Sequence, residues 1–96
     1  MQFLVLARDG TDAEAPARRA AARPAHFDGV RALKAAGHLV IGGARLDAAG
    51  GMIGSMMVVD FPDRAALDAW LAIEPYAVGG VWREVEVHPF RVAALD

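Results

Sequence analysis

Three stretches of this chain are continuously apolar where a half-exposed strand would alternate. They are Phe3-Leu4-Val5-Leu6-Ala7, Leu39-Val40-Ile41 and Met56-Met57-Val58-Val59. Successive side chains of a strand point to opposite faces, so an unbroken apolar run puts hydrophobic groups on both. An antiparallel sheet with one wet face would instead read apolar-in, polar-out. The chain offers helices for one face and no third helix for the other. The simplest cover for the second face is another copy of the same sheet, packed about a two-fold axis. A homodimer through the sheet face is therefore expected. A small apolar face left in water is the weaker alternative, since such a patch invites aggregation.

The segments between these runs set the order of elements. Arg8-Asp9-Gly10-Thr11-Asp12 ends the first strand with turn chemistry. Ala13 to Ala22 is Ala-rich and helical in character. Pro24 disfavours helical dihedrals at Arg23, which predicts a break there and a restart with Pro24 at the first helical position. The main helix then runs from Pro24 to about Ala36, with Gly37 as its stop. The second strand is His38 to Ile41, and a long Gly/Ala-rich loop follows to Gly54. The third strand is Ser55 to Asp60. Asp63 caps a second helix that ends near Ile73, before Pro75. Glu84 to Val92 is the last strand, and Pro89 inside it removes a ladder donor, which suits an edge. The result is an α+β chain of order β-α-β-β-α-β, the ferredoxin-like split βαβ pattern. Its two helices lie on one face of an antiparallel sheet.

Size and charge narrow the rest. The 96 residues make a single domain, 1–96, small enough to be marginal alone. A net charge of -2 gives no reason to expect nucleic acid or an anionic membrane as partner. Arg18, Arg19 and Arg23 form a basic cluster without aromatic interleaving, which reads as a solvated helix face rather than a binding patch. With no cysteine there is neither disulfide nor thiolate chemistry. No signal peptide or membrane span is recognisable, so the expected location is the cytoplasm. His26, His38 and His88 lack metal-ligand spacing, and the paired glycines lack a strand-to-helix phosphate-loop context. Neither a metal nor another cofactor is expected.

At 100° per residue, Ala22, His26, Val30, Leu33 and Gly37 fall on one stripe of the first helix. His26 therefore faces the sheet, near the expected helix N-terminus, where the dipole disfavours an imidazolium. Leu67, Trp70, Leu71 and Glu74 share a stripe of the second helix. The topology brings the start of the first helix and the end of the second to one edge of the sheet. Ser55, Arg8 and Tyr76 are expected at that edge too. His26 and Glu74 are thus catalytic candidates, and Ser55, Arg8 and Tyr76 candidates for binding substrate. The plainer readings stay open: a core histidine satisfied by a backbone carbonyl, a solvated glutamate at a helix end, a serine that merely begins a strand.

RPAH at Arg23 to His26, Gly42-Gly43, Gly54-Ser55 and Phe61 before the second helix resemble the YciI-like (YCII-related) proteins. EPYAVGGV at Glu74 to Val81 and VEVHPF at Val85 to Phe90 extend the resemblance over nearly the whole chain. It implies a ferredoxin-like fold dimerising as an α+β barrel, with a His–Asp pair in a pocket. The histidine falls on His26 and the aspartate on Glu74, one methylene longer. One branch of the family is dehydrochlorinase-like, acting on a chlorinated aromatic diol, and related dimeric barrels include muconolactone isomerases. Three functions follow as expectations. The first is an enzyme in which the His26–Glu74 pair drives acid/base isomerisation or elimination on a cyclic or aromatic compound. The second is a small-molecule binding dimer without catalysis, and the third an accessory domain whose partner covers the cleft.

Overall fold

A computed structural model describes residues 1–95. The elements are β1 (Gln2–Asp9), α1 (Ala15–Ala35), β2 (Leu39–Leu46), β3 (Met52–Asp60), α2 (Arg64–Leu71), α3 (Pro75–Val78) and β4 (Trp82–Phe90). The four strands form one antiparallel sheet in the order β2-β3-β1-β4. β1 lies inside the sheet, between β3 and β4, and its burial alternates strictly. Phe3, Val5, Ala7 and Asp9 are buried, while Leu4 and Leu6 are half-buried and Arg8 is exposed. Phe3 and Val5 pack with Met57 and Val59 of β3, and with Leu33 of α1 and Leu67 of α2. Leu67 is fully enclosed, which is worth about 2 kcal/mol for a side chain of that size.

α1 is one continuous helix, so the expected break at Arg23-Pro24 does not occur. Pro24 removes the hydrogen bond that would reach the carbonyl of Ala20 and crowds that carbonyl with its ring, but Ala20 is exposed, so water can satisfy the oxygen. The inward stripe is consequently longer than expected and includes Ala15, Arg19, His26 and Leu33. The helix stops where Gly37 takes a φ of 80°. His38 N–H donates to the carbonyl of Leu33, and Gly37 N–H to that of Lys34, closing the left-handed cap that glycine favours. α2 starts on Asp63, whose carboxylate accepts from Ala66 N–H at 2.8 Å.

The expected loop between the middle strands is largely β-structure. β2 continues through Gly42-Gly43 to Leu46, a tight turn spans Asp47 to Gly51, and β3 begins at Met52. The Asp47 carboxylate accepts from the N–H groups of Ala49 and Gly51 and holds that turn. The dimeric α+β barrel is also corrected. β2 and β4 are edges that do not pair with each other, and the sheet is open. β4 is built for an edge: Glu84, Glu86 and His88 are exposed, and Pro89 lies opposite Phe3 on its outer rim. Charges along β4 interrupt the apolar second face that the first three strands suggested. Among the described residues, no helix is long and apolar enough to cross a membrane.

Candidate active site

His26 lies about three turns into α1, not at its N-terminus, so the helix dipole has little hold on it. Glu74 is the N-cap of α3 rather than a residue trailing α2. One of its carboxylate oxygens, Oε2, accepts from Ala77 N–H at 2.9 Å. The other, Oε1, pairs with Nδ1 of His26. The side chains of the two residues are 8 % and 2 % exposed, so this is a buried ion pair if the ring is protonated. An ionised carboxylate only accepts, which fixes the ring proton on Nδ1 and leaves Nε2 for whatever occupies the adjoining space. Tyr76, in the first turn of α3, stacks on the imidazole with centroids 3.7 Å apart and planes 9° from parallel. Trp82 meets the imidazole and phenol rings edge-on at 6.0 and 5.9 Å. Offset and edge contacts of this kind add about 0.5–1.5 kcal/mol each beyond burial, and they immobilise the imidazole.

A second buried polar set lies beside the first. Arg19 Nη1 donates to both carboxylate oxygens of Asp9, at 3.0 and 2.8 Å. Arg19 Nη2 donates to Ser55 Oγ at 3.1 Å, and Trp82 Nε1 donates to the same oxygen at 3.1 Å. The guanidinium lies 4.7 Å from the Tyr76 ring centroid, so Arg19, Tyr76 and His26 form consecutive layers. Burial pushes the Tyr76 phenol up, and the charges of Arg19 and Arg23 pull against it.

Two cavities open onto these groups. One, of about 210 Å³, is lined by His26, Tyr76, Ser55, Phe27 and Arg23, with the backbone of Gly42 and Gly43 as a wall. No side chain grows from the two glycines into it, and a Cβ on Gly42 would press on Met57 at 3.3 Å. The other, of about 420 Å³, is lined by Asp9, Asp12, Asp47 and the turn that follows β1. Arg19, Arg23 and Met52 border both.

The structure thus brings together His26, Glu74, Ser55 and Tyr76. It does not bring Arg8 to them: Arg8 is exposed and borders neither of these two cavities, but lines a third, of about 310 Å³, with Asp9, Asp12 and Glu84. The two-residue period of β1 explains the difference: Asp9, not Arg8, shares a face with Phe3, Val5 and Ala7. Three residues of the site went unrecognised in the sequence. Asp9 could have been found by that period. Arg19 stands seven residues before His26, two turns up the same stripe, but the presumed break at Pro24 hid the relation. Trp82 carried no periodic signal, because it precedes the segment read as the last strand.

The family model described as the YCII-related domain matches residues 1–91. The chain belongs to this family. Proteins named Protein YciI, from Escherichia coli O6:H1 and from Shigella flexneri, are each 30% identical over 97 residues, spanning 95% of this chain and 97% of theirs. Among solved structures, one similar chain is 5-chloro-2-hydroxyhydroquinone dehydrochlorinase from Burkholderia phenoliruptrix in complex with 2,5-dihydroxybenzoquinone. Its TM-score is 0.85 at 21% identity, with 97% of this YCII-related chain and 96% of that one covered. A second is Rv0793 from Mycobacterium tuberculosis, with a TM-score of 0.55 at 22% identity and 100% and 97% covered. At these identities the likeness describes the fold.

Proposed function

We propose that this YCII-related protein is a small-molecule enzyme that moves a proton on a cyclic or aromatic compound. The reading rests on one observation: a buried His26–Glu74 pair whose imidazole lines a cavity large enough for a single ring. The fold-level similarity to a dehydrochlorinase supports the choice of chemistry. Glu74 orients the ring and stabilises the imidazolium that forms when Nε2 takes a proton. In an elimination, the substrate loses that proton to Nε2 and chloride departs with the carbon–chlorine bonding pair. In an isomerisation, Nε2 returns the proton to a different atom. Neither sequence needs an external oxidant or reductant. Ser55 already accepts two hydrogen bonds and keeps its own O–H to donate, so it and the Tyr76 hydroxyl are suited to hold a substrate oxygen.

The test has two parts. Nitrogen-15 NMR of His26 reports which ring nitrogen carries the proton; the expected form is Nδ1–H in the wild type and a mixture of tautomers in Glu74→Gln. Chloride release from 5-chloro-2-hydroxyhydroquinone and related halogenated diols is then followed, and His26→Gln is expected to slow it by about 10²–10⁴-fold. An identical tautomer in both proteins, or turnover indifferent to His26, sinks the proposal. A ring compound that binds without reacting, equally well in His26→Gln, points instead to a binding module.

A further inference from the structure

The two cavities differ in the charge they present, and the difference falls on a residue the reaction has not used. Asp9, Asp12 and Asp47 all border the larger cavity. No aspartate or glutamate lines the smaller one, whose charged and titratable lining groups are Arg19, Arg23 and His26, together with the Tyr76 phenol. Two of those three basic groups are compensated: Arg19 by Asp9, and His26 by Glu74. Among the described residues, Arg23 has no acidic partner and no hydrogen bond. Its guanidinium lies instead 4.7 Å from the ring centroid of Phe27, one turn further along α1, which also lines the cavity. Stacking of this kind holds a guanidinium in place while leaving its N–H groups free along their edges. Arg23 is also one turn before His26, so its position is fixed relative to the imidazole by the helix itself.

The volume sets the size of the guest. An apolar cavity of about 150 Å³ holds benzene, so about 210 Å³ takes one six-membered ring with one or two substituents. The aromatic groups at its border, Phe27 and Tyr76, suit a planar ring. We propose that the cavity beside His26 selects a single-ring organic anion, and that Arg23 determines this specificity by binding its negative oxygen. The inference deepens the reading above by naming the substrate class, and it rests on that reading for the site's purpose but not for its test. Arg23 is a specificity residue here, and proton transfer stays with His26.

Calorimetric binding of 2,5-dihydroxybenzoate and of hydroquinone, which differ only in the carboxylate, isolates the charge. The wild type is expected to bind the anion at least about tenfold more tightly, the range of a charge-assisted hydrogen bond. Arg23→Gln brings the two affinities together. Arg23→Lys keeps part of the preference, because it retains the charge and loses the fork. Arg23 is exposed, so both variants are expected to fold. Equal affinities in the wild type, a preference that survives in Arg23→Gln, or no saturation by the anion up to about 10 mM overturns the inference. Binding is read without turnover. A catalytically silent protein that still prefers the anion keeps this inference and loses the enzyme reading. A neutral ring turned over regardless of Arg23 does the reverse.

Discussion

Arg19 and Asp9 bring opposite charges into the protein interior, with side chains 9 % and 5 % exposed. Two charges leave water at a cost that their attraction only roughly repays, so such a pair adds little net stability. Breaking it is another matter. Asp9→Ala leaves a guanidinium buried without its carboxylate, and Arg19 Nε already lacks a hydrogen-bond partner. The expected loss is about 3–5 kcal/mol in urea unfolding. Arg19→Met in the same chain removes the stranded charge, and the double variant is expected to recover part of that loss. A double variant as unstable as the sum of the two single ones would show that the pair has no coupling of this kind. At the neighbouring pair, the longer side chain of Glu74 is accommodated because its other oxygen is anchored on the α3 backbone, so both oxygens of the carboxylate are used.

Elements decide where these residues can stand. A proline inside a helix costs about 3 kcal/mol relative to alanine, through the lost hydrogen bond and the clash of its ring with the carbonyl four residues earlier. In α1 that carbonyl belongs to exposed Ala20 and is left to water, and the helix continues, so one rigid rod carries Arg19, Arg23 and His26 together. Pro24→Ala is expected to raise stability by about 1–2 kcal/mol, seen as a higher melting temperature, with the circular-dichroism helix content unchanged. A fall in helix content would mean that Pro24 organises the helix rather than being tolerated by it. The hairpin of β2 and β3 matters in the same way. By pairing through Gly42 and Gly43, β2 becomes a wall of the smaller cavity instead of a loop beside it.

At the scale of the whole molecule, the layers of helix and sheet bury the site, and burial makes its chemistry sensitive to pH. Tyr76 is the chain's single tyrosine and is 1 % exposed, with its phenol held above its usual value of 10.0 by desolvation. The folded form therefore keeps its proton where the unfolded chain has lost it. That contribution to stability is complete below pH 10.0 and is lost as pH rises from there through the folded value. Unfolding free energy is expected to fall more steeply above pH 10.0 in the wild type than in Tyr76→Phe. Phenolate absorbance, reporting one residue, gives the matching titration, and equal slopes in the two proteins would contradict the assignment.

The local pattern by itself determined the order of the four strands and the two longer helices, the caps at Asp63 and Gly37, the edge position of β4 and the inward direction of His26, but not the short α3 that Glu74 caps. Each of these depends on periods of two or 3.6 residues, or on backbone limits of glycine and proline, which act within a few residues along the chain. Only the tertiary structure decided that α1 runs through Pro24, because solvent access to the Ala20 carbonyl is a property of the packed helix. It also decided that Asp9 and Trp82 join Arg19 and Ser55, and that the sheet stays open. Those contacts link residues far apart in sequence through strand pairing, and no local period encodes the distance between them.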